Sequence, residues 1–159
     1  MNIIFEQKKT NYHIIVAEII ETPDILFNIL QNDLSKIELI KYNKFKNDKR
    51  RTEWLGVRFL LKNMLNNYYE IKYTKYGKPF IEGSKYISVS HSSNFVSIII
   101  SSKKNTAVDI EIISSKILRT AKKFIYLNEL SFFKEDEKVK KAYLNWCCKE
   151  TLFKIYCRI

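Results

Sequence analysis

Two strand-like runs separated by a short polar stretch constrain the fold of this chain more than any other feature. Residues 86–90 alternate apolar with small polar side chains, and residues 95–100 are almost continuously apolar. Alternation with a period of two is typical of a strand that buries one face. Only a few polar residues, centred on Ser92-Ser93-Asn94, lie between the two runs. The two runs therefore predict an antiparallel hairpin.

Further runs extend this pattern on both sides of the hairpin. Residues 13–20 are rich in β-branched side chains and predict a strand, and residues 107–112 predict another. Thr22 followed by Pro23 is typical of a helix N-cap with proline at the first helical position, so a helix is expected to about Leu30. A second helical tract is expected over residues 34–65, where apolar side chains recur at helical spacing at Trp54, Val57, Leu61, Met64 and Leu65.

The C-terminal part, from about residue 115 to residue 158, is expected to be mainly helical. The predicted fold class is therefore α+β, with an antiparallel sheet and packed helices. Of the 159 residues, 46% are hydrophobic, which is enough to bury one core. Either one domain or two small lobes that share a core fits this length.

A strong positive charge limits the kinds of partner. The chain has 28 Lys and Arg against 17 Asp and Glu, giving a formal net charge of +11. Such a chain attracts polyanions, and nucleic acid, an anionic membrane surface, and an acidic protein or phosphate-rich cofactor all fit. Net charge alone does not choose among them.

Neither end of the sequence carries a targeting or disulfide pattern. Residues 1–7 lack a cationic region followed by a long apolar stretch, and no apolar run approaches membrane-spanning length, so a cytoplasmic protein is expected. The three cysteines Cys147, Cys148 and Cys157 are odd in number and crowded together. This spacing suits neither a disulfide framework nor a zinc site, and it predicts reduced cysteines that pack a helix.

Asp109 and Glu111 are the first residues with the chemistry of a site. On a strand they project from one face, while Val108, Ile110 and Ile112 occupy the other. Two neighbouring carboxylates repel each other, and a cation such as Mg²⁺, which favours oxygen ligands, would offset that repulsion. An ordinary solvated strand face is the alternative.

Two charged residues share a helical stripe with aromatic side chains near the C-terminus. Trp146, Glu150, Phe153 and Lys154 fall at positions i, i+4, i+7 and i+8 of one predicted helix. A carboxylate on such a stripe is costly to desolvate without a partner, so Glu150 is a candidate metal ligand or base. A surface ion pair is the alternative.

Ser90 and His91, together with Lys78 of the preceding Gly77-Lys78-Pro79 break, form a third set. A hydroxyl, an imidazole and an ammonium group can all donate hydrogen bonds to phosphate oxygens. A structural histidine is the alternative.

In their order and residue types these blocks resemble the motif series of the 4′-phosphopantetheinyl transferases of the surfactin-synthetase-activating type. The upstream segment from Arg50 to Arg58 resembles the arginine-bearing helix of that family. The resemblance covers residues 49–155, and the series is Gly77-Lys78-Pro79, Ile87-Ser88-Val89-Ser90-His91-Ser92, Ala107-Val108-Asp109-Ile110-Glu111 and Trp146-Cys147-Cys148-Lys149-Glu150-Thr151-Leu152-Phe153-Lys154.

The resemblance implies an enzyme that uses Mg²⁺ to move the phosphopantetheine arm of coenzyme A onto a serine of an acyl or peptidyl carrier protein. It implies that Mg²⁺ is held by Asp109, Glu111 and Glu150. It also implies a coenzyme A site made of Arg51, Lys78, Pro79, Ser90, His91 and Lys154. Glu150 would serve as the base for the carrier serine, and Lys154 would stabilise or protonate the departing 3′,5′-ADP.

The resemblance further implies two similar α/β lobes, residues 1–104 and residues 105–159, with the second lobe shortened relative to the family. Ala107 also stands where the family usually has glycine. A monomer is expected, with coenzyme A and a carrier protein as partners and without nucleic acid or membrane.

Three other interpretations stay open from the sequence. One is a smaller, trimeric holo-acyl-carrier-protein synthase, and another is an inactive, shortened transferase. The third is a nucleic-acid-binding module, in which tyrosines combine with the basic residues Lys41, Lys44, Lys46, Lys49, Arg50, Arg51 and Arg58. No helix-turn-helix, zinc or RNA-binding signature supports that module.

Overall fold

A computed structural model describes residues 1–83, 86–103, 105–126 and 134–156 of the chain. Within these residues the strands form one six-stranded antiparallel sheet in the order β1-β2-β6-β5-β4-β3. The strands are β1 (Asn2–Lys9), β2 (Tyr12–Glu18), β3 (Lys72–Tyr73), β4 (Pro79–Phe80), β5 (Tyr86–Ser92) and β6 (Phe95–Ser101). The predicted hairpin is β5–β6, in which Ser92 pairs with Phe95.

Four α-helices accompany the sheet within the described residues, so the α+β prediction is confirmed. They are α1 (Pro23–Leu30), α2 (Lys36–Asn43), α3 (Asp48–Leu65) and α4 (Lys138–Tyr156). The Thr22 hydroxyl caps α1 by accepting from the Ile25 N–H, as the sequence predicts. None of the helices in the described part of the chain is long and apolar enough to cross a membrane.

The main core lies between one face of the sheet and helices α1 and α3. Alternate residues of the central strands point into it, because side chains of a strand alternate between faces. Gly56 allows α3 to lie close to Ile19, because a Cβ atom at position 56 would come within 2.5 Å of the Ile19 side chain. The buried side chains include Leu26, Leu30, Leu55, Leu60, Leu61, Ile87, Val96 and Ile98.

The predicted strand over residues 107–112 is wrong, because this segment joins the sheet through serine side chains. β4 pairs with β5 only between Phe80 and Tyr86, so it does not cover β5 at Ser88–Ser92. There the hydroxyls of Ser88, Ser90 and Ser92, rather than backbone carbonyls, act as the acceptors. They accept from the N–H groups of Val108, Ile110 and Ile112 at 3.2, 3.3 and 3.4 Å.

The remaining C-terminal residues build a second, smaller apolar cluster. Short 3₁₀ helices over Ser115–Arg119 and Ala121–Lys123 pack on α4 through Ile117, Ala121 and Ala142. No strand occurs among the described residues after residue 104. The division into lobes 1–104 and 105–159 stays a prediction, and the helix predicted through residues 127–133 and to residue 158 falls partly outside the described residues.

Candidate active site

A cleft of about 310 Å³ lies where three separate parts of the chain meet. Helix α3 forms one wall, β5 and the turn before β4 form another, and the end of α4 closes the third side. Among its described lining residues are four cationic side chains, Arg50, Arg58, Lys78 and Lys154, and one carboxylate, Glu53. Its apolar lining includes Trp54, Val57, Ile87, Val89 and Phe153. The cleft therefore suits an anion that also carries an apolar part.

The turn at Gly77 places Lys78 and Pro79 in this cleft. The Gly77 N–H donates to the Thr74 carbonyl at 2.9 Å, and Gly77 adopts a φ of 79°, a left-handed conformation that glycine adopts readily. From this turn the Lys78 ammonium donates to the Ile155 carbonyl of α4 at 3.3 Å. Lys78 thus ties the turn to α4, as well as lining the cleft.

Arg50, Glu53 and His91 form a mutually contacting group at the cleft. Arg50 Nη1 donates to Glu53 Oε2 at 3.2 Å and lies 3.3 Å from His91 Nε2. His91 Nδ1 lies 3.7 Å from the same Glu53 oxygen. Glu53 is largely buried, whereas the Arg50 side chain is half exposed. The arginine can therefore reorient more easily than the carboxylate.

Arg51, which the sequence favours for coenzyme A, does not line the cleft. Its Nη1 donates to Asp48 at 3.1 Å, and its guanidinium lies over the Tyr42 ring at 5.7 Å from the ring centre. Adjacent residues on a helix point about 100° apart, so Arg50 and Arg51 cannot serve the same cleft equally. The structure brings Arg50 to the other predicted residues instead.

A buried network behind the cleft was missed in the sequence. Arg58 is only 2% exposed, donates to Glu38 at 2.8 Å, and lies over the Trp54 ring at 3.3 Å from its centre. Glu38 also accepts from Tyr68 at 2.7 Å and completes the capping box of α2 with Ser35. Burial and this carboxylate raise the pKa of Tyr68 far above its ordinary value.

Part of that network has a signal in the sequence, because Ser35 and Glu38 have the spacing of a helix capping box. Nothing in the sequence shows that Glu38 reaches Arg58, twenty residues away.

Asp109 lies at the edge of the cleft and is paired on one oxygen only. Its Oδ1 accepts from Ser90 Oγ at 2.8 Å and from Lys154 Nζ at 2.7 Å. Lys154 also donates to the Val108 carbonyl at 2.9 Å. Asp109 Oδ2 is buried and has no hydrogen-bond partner among the described residues. A buried carboxylate oxygen without a donor is costly, and a cation would satisfy it.

Cys147 of α4 lies beside this carboxylate. Burial, followed by a hydrogen-bonding contact with the Asp109 carboxylate, raises the pKa of the Cys147 thiol to about 12. A thiol is only a weak donor, so this contact does not replace an N–H or O–H partner for Oδ2. Cys147 and the exposed Cys148 are both free thiols, as the sequence predicts, while Cys157 falls outside the described residues. The raised pKa keeps Cys147 protonated at neutral pH, which argues against a role as nucleophile.

The other two predicted metal ligands are placed differently from Asp109. Glu111 accepts from Ser92 at 2.9 Å on one oxygen and from Trp146 Nε1 at 3.3 Å on the other. Glu150 is half-buried on α4. Across the described part of the chain, no group of three His, Cys, Asp or Glu side chains is close enough together to hold a metal ion. The three-carboxylate magnesium site stays a prediction, and Asp109 is the residue whose surroundings fit it best.

Two curated proteins share significant similarity with this chain, while no family model matches it. The chain is 24% identical over 152 residues to 4′-phosphopantetheinyl transferase HetI from Nostoc sp., covering 85% of this chain and 64% of the relative. It is 27% identical over 139 residues to 4′-phosphopantetheinyl transferase gsp from Aneurinibacillus migulanus, covering 81% and 58%.

These similarities confirm the resemblance to the 4′-phosphopantetheinyl transferase superfamily that the motif series indicated. The chain spans about three fifths of the length of these curated relatives.

Proposed function

We propose that the chain transfers the 4′-phosphopantetheine group from coenzyme A to a serine of an acyl or peptidyl carrier protein, with Mg²⁺. One observation carries the proposal. Motif blocks as far apart in sequence as Arg50 and Lys154, together with Lys78 and His91, line one cleft in the fold. The names of the two relatives support the same chemistry.

In this proposal the cationic side chains bind the phosphates of coenzyme A. Arg50, Lys78, His91 and Lys154 come from different elements, so they surround a ligand rather than line one side of it. Charge-assisted hydrogen bonds to phosphate are stronger than neutral ones, and the partly enclosed cleft reduces their screening by solvent. The apolar walls formed by Trp54, Ile87 and Phe153 would contact the less polar parts of the cofactor.

Asp109, Glu111 and Glu150 are proposed to hold the metal, which requires their side chains to move closer together than they lie among the described residues. The unpartnered Oδ2 of Asp109 supports this assignment for the first of the three. A bound Mg²⁺ supplies Lewis-acid stabilisation of the charge on the scissile phosphate.

Glu150 and Lys154 lie one helical turn apart on α4, a spacing that supports a shared role. We assign Glu150 the role of general base, which accepts the proton of the carrier serine directly or through a water. Lys154 stabilises the phosphate of the departing 3′,5′-ADP. Because Lys154 also contacts Asp109, one side chain joins the carboxylate to the phosphate-binding cleft.

The transfer reaction itself tests the proposal. The purified chain is incubated with Mg²⁺, coenzyme A and an apo carrier protein, and the intact carrier mass is measured. We expect a gain of one phosphopantetheine group on the carrier serine, and no gain with a carrier in which that serine is replaced by alanine. No mass gain on several acyl and peptidyl carriers would contradict the proposed activity.

A further inference from the structure

Glu53 contacts two of the nitrogen-bearing side chains that line the cleft, Arg50 and His91. One of its oxygens, Oε2, lies 3.2 Å from Arg50 Nη1 and 3.7 Å from His91 Nδ1. Glu53 is the single carboxylate among the described residues that line the cleft. It is also largely buried, so it is held in place beside these two side chains.

The position of Arg50 determines which nitrogen of His91 carries the proton when the ring is neutral. An arginine can only donate hydrogen bonds, so His91 Nε2, 3.3 Å from Arg50 Nη1, must accept. The proton of the neutral ring then sits on Nδ1, which faces Glu53. In this form His91 cannot donate from Nε2 to a phosphate.

An anion in the cleft changes this arrangement. The half-exposed Arg50 can turn from His91 to a phosphate oxygen, which removes the donor that faced Nε2. His91 can then take a proton from solvent, form an ion pair through Nδ1 with the Glu53 carboxylate 3.7 Å away, and donate from Nε2 to the anion. Imidazole is the side chain suited to such a change near neutral pH.

We propose that Glu53 is a positioning residue that couples anion binding in the cleft to protonation of His91. The other charged side chains among the described lining residues, Arg58 of α3, Lys78 of the turn and Lys154 of α4, are cationic and oppose a further positive charge on His91. Asp109, at the edge of the cleft, is paired with Lys154. The Glu53 carboxylate offsets them. The nature of the anion, a phosphate ester of a nucleotide, rests on the proposed function.

Proton uptake on binding is measured by titration calorimetry with adenosine 3′,5′-bisphosphate near pH 7 in two buffers of different ionisation enthalpy. The phosphates of the ligand also titrate, and the His91→Gln variant reports their contribution. We expect the parent to take up more protons than His91→Gln. In the Glu53→Gln variant this excess should disappear, and Glu53→Asp, which keeps the charge, should restore part of it.

The pH dependence of affinity gives an independent readout. Between pH 6.5 and 7.5 the affinity of the parent should fall with rising pH more steeply than that of His91→Gln, by up to about tenfold per pH unit for one linked proton. Glu53→Gln should follow the shallower curve. Glu82→Gln, an exposed carboxylate paired with Lys72 outside the cleft, is the matched control and should follow the parent.

The outcomes separate the inference from the proposed function. Weaker binding by a folded Glu53→Gln variant with unchanged proton uptake would show a merely structural Glu53 and overturn the inference. Equal proton uptake by the parent and His91→Gln would also overturn it while leaving the cofactor site intact. If neither adenosine 3′,5′-bisphosphate nor coenzyme A binds the parent, both the inference and the proposed function are overturned.

Discussion

At the scale of single residues, the sequence could not decide between the adjacent arginines of α3. Arg50 and Arg51 have the same chemistry and are one position apart, and the choice depends on how α3 is rotated against the sheet. That rotation is set by the packing of Leu55, Leu60 and Leu61 in the core. The structure turns Arg50 toward the cleft and Arg51 toward Asp48 and Tyr42.

Replacing Arg50 with alanine should therefore raise the KM for coenzyme A, because a charge-assisted contact to phosphate is lost. An increase of about tenfold or more is expected from a bond of this kind. Arg51→Ala is the matched control and should change this KM by less than about twofold, since the contacts it removes, with Asp48 and the Tyr42 ring, lie outside the cleft. Steady-state kinetics with both substrates varied checks this, and the reverse order of the two variants would assign the cofactor to Arg51.

The structure also changes the interpretation of the interactions of Asp109. From spacing alone, Asp109 and Glu111 form a repelling pair, but each carboxylate has its own donors, Ser90 and Lys154 for Asp109 and Ser92 and Trp146 for Glu111. Removing the Asp109 charge therefore leaves Lys154 without its carboxylate partner, with only the Val108 carbonyl still accepting from it.

The variant Asp109→Asn should lose transfer and also lose about 1–3 kcal/mol of stability, the usual cost of breaking a largely buried bond to a charged group. Denaturant unfolding and the transfer assay measure the two effects separately. Unchanged stability would show that Lys154 finds another acceptor, and full transfer activity would exclude Asp109 from the site.

At the scale of elements, local signals predicted those parts of the fold that rest on local chemistry. The N-cap at Thr22 and the β5–β6 hairpin are examples, since a capping hydroxyl and a period-two pattern act over a few residues. The strand β1 was not predicted, because all of its eight residues are exposed and it has no buried face to leave a pattern. β3 and β4 have two residues each, too few for any periodicity.

The segment 107–112 shows why a strand pattern can mislead. Its alternation of apolar and acidic residues is real, but its N–H groups bond to serine hydroxyls on the face of β5. The signal was present in β5, where serine recurs at every second position. Serines at this spacing normally indicate only a polar strand face.

This serine row should control how firmly the Asp109 segment is held. In Ser90→Ala the Ile110 amide loses its acceptor and Asp109 loses a donor, so amide exchange over residues 106–112 should become faster. A loss of about 1 kcal/mol in stability is expected for bonds of this kind. Ser102→Ala, which removes an exposed hydroxyl near Asn11, is the control and should leave this segment unchanged. Equal amide-exchange rates over residues 106–112 in the two variants would show that the serine hydroxyls of β5 do not hold this segment in place.

At the scale of the whole molecule, the candidate site was predicted from the resemblance, because only the fold brings its parts together. Lys78, Pro79, His91 and Lys154 line one cleft, and Ser90 donates to Asp109 at its edge. Their binding of coenzyme A stays a prediction. Burial and charge placement could not be read from the sequence. The Arg58–Glu38 pair and the contact of Glu53 with His91 both depend on how helices pack across the sheet.

The net charge of +11 should act mainly on capture of an acidic carrier protein. Lys44 and Lys46 are exposed between α2 and α3, so the double alanine variant should raise the KM for the carrier at low salt and much less at high salt. The KM for coenzyme A should not change. Lys8→Ala with Lys9→Ala, on the exposed strand β1, is the control of equal charge. An equal effect of the two double variants would show that only total charge matters.

We propose that one cleft, assembled from α3, the Gly77 turn, β5 and the end of α4, binds the phosphates of coenzyme A. A crystal structure of the chain with coenzyme A is the decisive measurement. We expect phosphate density within hydrogen-bonding distance of Lys78, His91 and Arg50, with Lys154 on the side of Asp109. Coenzyme A bound elsewhere on the molecule, with this cleft free of phosphate, would overturn this assignment.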